Sequence, residues 1–162
     1  MENTEELERT VSYSRTECKY FVKNEDINGK GRLFGGRLMQ WIDEVSSIAC
    51  RRHCGMPITT AAVDNLQFKE AAKVNDIIVL IAKVTYVGNT SMECRVDSYR
   101  EDSSGIRTII NRAYLTCVAL NEDDKPTHIP YKLKLENEND KAEWEGALKR
   151  IEYRKYRRSE GF

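Results

Sequence analysis

An aspartate and a serine four residues apart, Asp43 and Ser47, fall inside an apolar segment that runs from Leu38 to Cys50. If the segment is helical, that spacing puts a carboxylate and a hydroxyl on one stripe, where they can hold a water molecule. Asp is a poor helix former, and Asp43 adjoins Ile42 at the edge of the apolar face. A carboxylate at such an edge costs stability unless it is paired or hydrogen-bonded. It can act as a general base, or it can form a structural ion pair with one of the many arginines. The residues alone leave both roles open. Ahead of this segment runs Asn28-Gly-Lys-Gly-Arg-Leu-Phe-Gly35-Gly36, and residues 23–36 hold four of the nine glycines. A loop that ends at a helix N-terminus presents N–H groups able to hold an anion or a developing oxyanion. The same glycines also suit a tight turn. The run is no P-loop, because no Gly-Lys-Ser/Thr follows, and no dinucleotide fingerprint.

Other constellations carry less. Cys50-Arg-Arg-His53-Cys54 offers three possible ligands in five residues, but the remaining histidine, His128, is far along the chain. A metal site needs three or four converging ligands, so core cysteines beside a helix-end histidine are the expectation, with no metal. The five cysteines, Cys18, Cys50, Cys54, Cys94 and Cys117, are odd in number and contain no C-x-x-C pair. They read as reduced thiols rather than a disulfide framework. No Gly-x-Ser-x-Gly elbow supports a serine triad. Lys149, Arg150, Arg154, Lys155, Arg157 and Arg158 form a basic run that reads as a solvated helix face, with phosphate contact as the alternative.

These groups need a scaffold. Residues 11–22 are rich in β-branched and aromatic types and read as a strand. Residues 37–54 read as a helix, with Leu38, Trp41, Ile42, Val45, Ile48 and Ala49 at helical spacing and Gly55 and Pro57 to end it. Four strand-like runs follow, at 58–69, 76–87, 91–100 and 106–120. The second is nearly continuously apolar, as a central strand covered on both faces is. The third alternates, as a half-buried strand does. Turn chemistry between the runs predicts antiparallel neighbours. Residues 140–158 form a second helical pattern, read as exposed. The whole predicts an α+β domain in which a curved antiparallel sheet wraps one apolar helix.

Composition sets the outer bounds. One domain accounts for 162 residues. Lys plus Arg and Asp plus Glu are both 26, which argues against a nucleic-acid coat or a membrane-surface binder. No stretch approaches the roughly 20 apolar residues of a membrane span. The acidic start, Met1 to Glu8, reads as neither a secretory signal nor a transit peptide, so the expected compartment is the cytoplasm.

Several blocks together resemble a known family. The run Asn28-x-x-Gly31-x-x-Phe34-Gly35-Gly36, then Trp41-Ile-Asp43-Glu44 and Arg52-His53, is similar to the hot-dog-fold acyl-CoA hydrolases, including the cytosolic long-chain branch. The likeness continues through Thr59 to Phe68, Val84 to Glu93 and Ala113 to Leu120. It implies a sheet of five or six antiparallel strands wrapped around a central helix, followed here by a C-terminal helix. The chain divides accordingly into an acidic extension (1–10), one hot-dog domain (11–131) and a charged helical tail (132–162).

The resemblance also implies an acyl-CoA thioesterase acting without a cofactor. It implies self-association as a dimer and a trimer of dimers, with Asn28 and Asp43 meeting from two protomers. Gly35 and Gly36 match glycines whose N–H groups face the thioester carbonyl. Ser47 matches a hydroxyl position of more distant relatives, and Gly88, Asn89, Thr90 and Ser91 lie where CoA commonly runs. Phe34 departs from members with histidine there, Ala71 replaces a common proline, and Asn75 stands where glycine is usual. Two rivals remain. An acyl-thioester dehydratase needs an acid and a histidine together, yet His53 lies ten residues from Asp43, about 15 Å along a helix. A non-catalytic acyl-CoA-binding or sensing protein needs neither Asn28 nor Asp43.

Overall fold

The computed structural model describes residues 7–162. Most of the acidic extension expected at 1–10 therefore lies outside the described residues. The elements in order are β1 (Glu8–Thr10), α1 (Val11–Ser14), β2 (Thr16–Phe21), a 3-10 turn (Asn24–Asp26), α2 (Gly35–Cys54), β3 (Ile58–Phe68), β4 (Ile77–Val87), β5 (Ser91–Glu101), β6 (Arg107–Ala119), β7 (Lys132–Lys134) and α3 (Glu138–Glu160). Five strands form one antiparallel sheet in the order β2-β4-β5-β6-β3. A short parallel pair, β1 with β7, ties the two ends of the chain together.

The helix α2 lies across one face of this sheet, which is the α+β architecture the patterning predicts. Its buried residues include Leu38, Trp41, Ile42, Val45, Ala49 and Cys50. They share one core with Leu80, Ala82, Val84, Cys94, Val96 and Leu115 from the sheet. Each leucine, isoleucine or valine among them contributes about 1.5–3 kcal/mol by leaving water. The helix ends at Gly55, whose φ of +73° is left-handed, a conformation that a side chain resists, and whose N–H closes on the Arg51 carbonyl. Strand β4 runs between β2 and β5 with Ile78, Val79 and Leu80 all fully buried, as its continuous apolar run requires.

Three expectations change. Residues 11–22 are not one strand: the first four form a helical turn, because the Thr10 hydroxyl accepts the Tyr13 N–H at 3.1 Å and caps it. Strand β5 is not half-buried. Met92, Cys94 and Val96 face the core as the alternation says, but Glu93 and Asp97 on the other face are only 2% and 5% exposed. The reason is the third change. The second helix is not a free surface element: Trp144 packs on Tyr86 with ring centroids 4.6 Å apart, and Ala147 is fully buried. Asn75 takes the left-handed φ of +72° at the position where glycine is usual, a conformation asparagine tolerates.

Candidate active site

The loop that leads into α2 is built on a buried carboxylate. Asp26 is 4% exposed. It accepts the Lys23 N–H at 2.9 Å and pairs with the Arg37 guanidinium at 2.9 Å. The Phe34 N–H reaches back to the Asp26 carbonyl at 2.7 Å. Loop and first helical turn are thereby one unit. Within it the Asn28 side-chain oxygen accepts the N–H groups of Lys30 and Arg32, at 2.9 and 3.3 Å. Asp26 escaped the sequence reading because a lone acid in a polar loop has no periodic signal.

Helix α2 starts at Gly35, two residues earlier than its spacing predicts, since glycines carry no apolar pattern. Its N-cap residue, Phe34, makes no side-chain capping bond. The first N–H groups, Gly35 and Gly36, thus end the helix dipole without a side-chain oxygen on them. A Cβ at Gly35 would meet the Phe68 ring at 3.3 Å, so glycine there keeps the approach to the helix end open. Asn28 and Gly35 line the same cleft, of about 390 Å³, with Leu38, Phe68 and Ile110.

Asp43 is elsewhere. It is exposed on the chain's own surface, eight residues beyond Gly35 and about 12 Å along the helix axis. Its Oδ1 accepts the Thr60 hydroxyl of β3 at 2.5 Å. The alternative of an ion pair with an arginine is not what the structure shows. Thr60 was not anticipated from sequence. The signal available was its place in an alternating edge strand facing α2, but only a long-range contact identifies it as the partner of Asp43. Ser47 is half-buried one turn on and makes no side-chain hydrogen bond among the described residues. Ser46 instead is buried and donates to the Asp43 carbonyl at 3.0 Å.

One chain therefore holds two half-sets. Asn28 with Gly35 and Gly36 gathers at the helix start, and Asp43 with Thr60 sits two turns on. Gly88, Asn89, Thr90 and Ser91 line a third region, a cleft of about 490 Å³ under the C-terminal helix. Asn89 is held there by His128, whose Nδ1 lies 2.7 Å from its Oδ1.

The basic run of α3 is only partly solvated. Arg150 pairs with Glu93 at 2.7 Å, Arg154 with Asp64 at 2.7 Å and Arg157 with Asp64 at 2.6 Å. Arg95 of β5 adds a pair with Glu143.

The cysteine and histidine cluster at the end of α2 is core. Cys50, Cys54, Cys94 and Cys117 are buried and free. The hydrogen bond that the Cys117 thiol gives to Cys50, and then burial, push the Cys117 thiol up, so it stays a thiol. His53 is fully buried and its Nε2 lies 3.3 Å from the Tyr131 carbonyl. Burial outweighs that bond and, with the nearby Arg9 cation, lowers its pKa to about 4. Arg9 lies 3.5 Å over the Tyr131 ring and donates to the Arg52 and His53 carbonyls, which closes the negative end of the helix. Histidine and Asp43 do not converge, as a dehydratase would need. Among the described residues no three metal-binding side chains cluster, and no helix is long and apolar enough to cross a membrane.

Residues 30–106 match the thioesterase superfamily. The chain is 38% identical over 106 residues to an uncharacterised acyl-CoA thioester hydrolase of Bacillus subtilis, covering 65% of this chain and 62% of that protein. It is 34% identical over 139 residues to the rat cytosolic acyl coenzyme A thioester hydrolase, covering 84% of this chain but 36% of the relative. The chain thus spans less than two thirds of these two relatives' lengths. Among solved structures, an acyl-CoA hydrolase of Staphylococcus aureus in complex with coenzyme A superposes with a TM-score of 0.90 at 33% identity, over 96% of this chain and 93% of that one. That protein has been solved with alanine replacing an asparagine, an aspartate or a threonine. A hexameric acyl-CoA thioesterase superposes with a TM-score of 0.89 at 34% identity, over 93% of this chain and 97% of that one. The fold is the hot dog that the sequence resemblance implies.

Proposed function

The chain belongs to the acyl-CoA thioester hydrolases of the thioesterase superfamily, and on that footing we propose that it hydrolyses acyl-CoA to a fatty acid and CoA. The observation that carries the mechanism is the separation of the two half-sets along α2. Asn28, Gly35 and Gly36 cannot share a carbonyl with Asp43 of the same chain across about 12 Å. A dimer that lays two α2 helices side by side brings the start of one to the middle of the other.

In that arrangement the thioester carbonyl lies at the N-terminus of one protomer's α2. The Gly36 N–H region stabilises the oxyanion, and removing such a donor costs about 100- to 1000-fold in rate. Asn28 orients the water or the carbonyl. Asp43 of the other protomer takes a proton from water as the water oxygen attacks the carbonyl carbon. Collapse of the tetrahedral intermediate breaks the C–S bond, and the proton passes to the departing sulfur. Thr60 occupies Oδ1 of Asp43, which leaves the second carboxylate oxygen for water. Ser47, one turn on, supplies a second hydroxyl to the same pool of solvent. Gly88 to Ser91 contact the CoA moiety.

The alanine variants made in the Staphylococcus aureus protein concern the same residue types as Asn28, Asp43 and Thr60, which supports this reading. The hexameric relative supports assembly of dimers into a trimer of dimers. No cofactor, metal, nucleic acid or membrane takes part in the reaction as written, and the rat relative supports the cytoplasm as its place. The test is thiol release from an acetyl- to palmitoyl-CoA panel. Asp43→Asn should lower kcat by about 100-fold or more, whereas near-full turnover by the folded variant removes Asp43 from the chemistry.

A further inference from the structure

The cleft of about 490 Å³ between the turn at 88–91 and α3 has a charge pattern that the hydrolytic chemistry does not use. Thr90 and Ser91 form one wall, and Ile151, Arg154, Lys155 and Arg158 form the other. Arg154 is committed to Asp64 and, at 3.7 Å, to Glu93. Glu93 in turn is satisfied by Arg150 and by the Thr85 hydroxyl. Lys155 and Arg158 have no anionic partner among the described residues. Cations at neighbouring helix positions repel one another, so an unmatched pair facing a concave wall suits a multiply charged anion. Hydroxyls opposite, and the aliphatic Ile151 beside the cations, suit a phosphorylated nucleoside, whose base needs an apolar surface.

The position of the cleft links it to the reaction. Its floor includes Ala61 and Ala62 of β3, and the residue before them, Thr60, holds Asp43. A register shift in β3 falls between Thr60 and Ala62, which turns the strand from one region to the other.

We infer that Lys155 and Arg158 bind the phosphates of the nucleotide half of acyl-CoA, so that α3 makes the enzyme selective for CoA thioesters over thioesters lacking a nucleotide. This rests on the hydrolase reading above and adds the residues that recognise the phosphates. A free nucleoside triphosphate shares the same chemistry, and the test separates the two sources.

Calorimetric titrations with CoA, pantetheine and ATP should be run on wild type, Lys155→Ala, Arg158→Ala, the double variant and Lys149→Ala. Lys149 is on the same helix but does not line the cleft. The expected loss of CoA affinity is about tenfold for each cleft cation removed, as for a charge-assisted bond to phosphate, and none for Lys149→Ala. In parallel, the ratio of kcat/KM for acyl-CoA to that for acyl-pantetheine should fall by a similar factor, through KM. Wild-type CoA affinity in the double variant overturns the inference, as does tighter binding of ATP than of CoA. If Lys155 and Arg158 govern CoA binding but no thioester is cleaved, the assignment stands and the hydrolase reading fails. If acyl-CoA is cleaved equally by wild type and double variant, the hydrolase reading stands and the assignment fails.

Discussion

Two helices cover the two faces of one sheet by different means. Helix α2 buries a continuous apolar stripe, from Leu38 to Cys54, against the inner face. Helix α3 buries only Asp140 and Ala147 and is held to the outer face by Trp144 on Tyr86 and, over its second half, through Arg150, Arg154 and Arg157. The inner contact is close-packed and fixes Asp43 on a rigid rod. The outer contact is, beyond Trp144 and Ala147, a set of charge pairs, each needing a specific partner. Packing of the first kind positions the chemistry, while contact of the second kind can expose cations to a ligand.

The largest stability effect should come from breaking the outer network at its buried centre. Glu93 is 2% exposed and Arg150 about a quarter exposed, so Glu93→Ala leaves a partly buried guanidinium without its main carboxylate and should cost about 3 kcal/mol, read from chemical denaturation. Replacing both partners, Glu93→Met with Arg150→Met, should recover most of that loss, since an apolar pair of similar volume removes the desolvation cost. Failure to recover would mean that the pair matters for more than its charges. On the inner face, Ile42→Ala should cost about 2–5 kcal/mol through a cavity, with no second-site rescue of this kind. Next comes pH. Unfolded, His53 titrates near 6.5, and folded only near 4. Between those values the unfolded chain binds more protons, so stability falls as pH drops through the window, on the order of 3 kcal/mol in all. His53→Gln should flatten that slope. The smallest effect should be Arg157→Ala: its side chain is 50% exposed, and an exposed pair contributes about 0.2–1 kcal/mol.

The same contrast explains what was legible in the sequence. An apolar stripe announces itself by period, so α2, its Gly55 stop and the strands of the sheet could be read directly. The acidic and basic residues of the outer face carry no period. Glu93 and Arg150 look like ordinary surface residues until the fold brings them to 2.7 Å, and for that reason β5 read as half-solvated and α3 as exposed. The candidate site divides along the same line. Asn28, Gly35, Gly36 and Asp43 fall in local motifs whose family resemblance is specific. Asp26 and Thr60 act through contacts made only after folding, and neither lies in a pattern of its own. The short pair β1–β7 escaped because three residues are too few to show alternation.

The central claim is that each site is shared by two copies of the chain, with Asn28 from one and Asp43 from the other. Asn28→Ala and Asp43→Asn should each be nearly inactive. When the two variants are refolded together at equal amounts, mixed dimers carry one doubly altered site and one intact site. Statistical pairing then predicts recovery to about a quarter of wild-type acyl-CoA turnover. A mixture no more active than the separate variants, with mixed dimers demonstrated, would place the whole site within one chain and contradict the account.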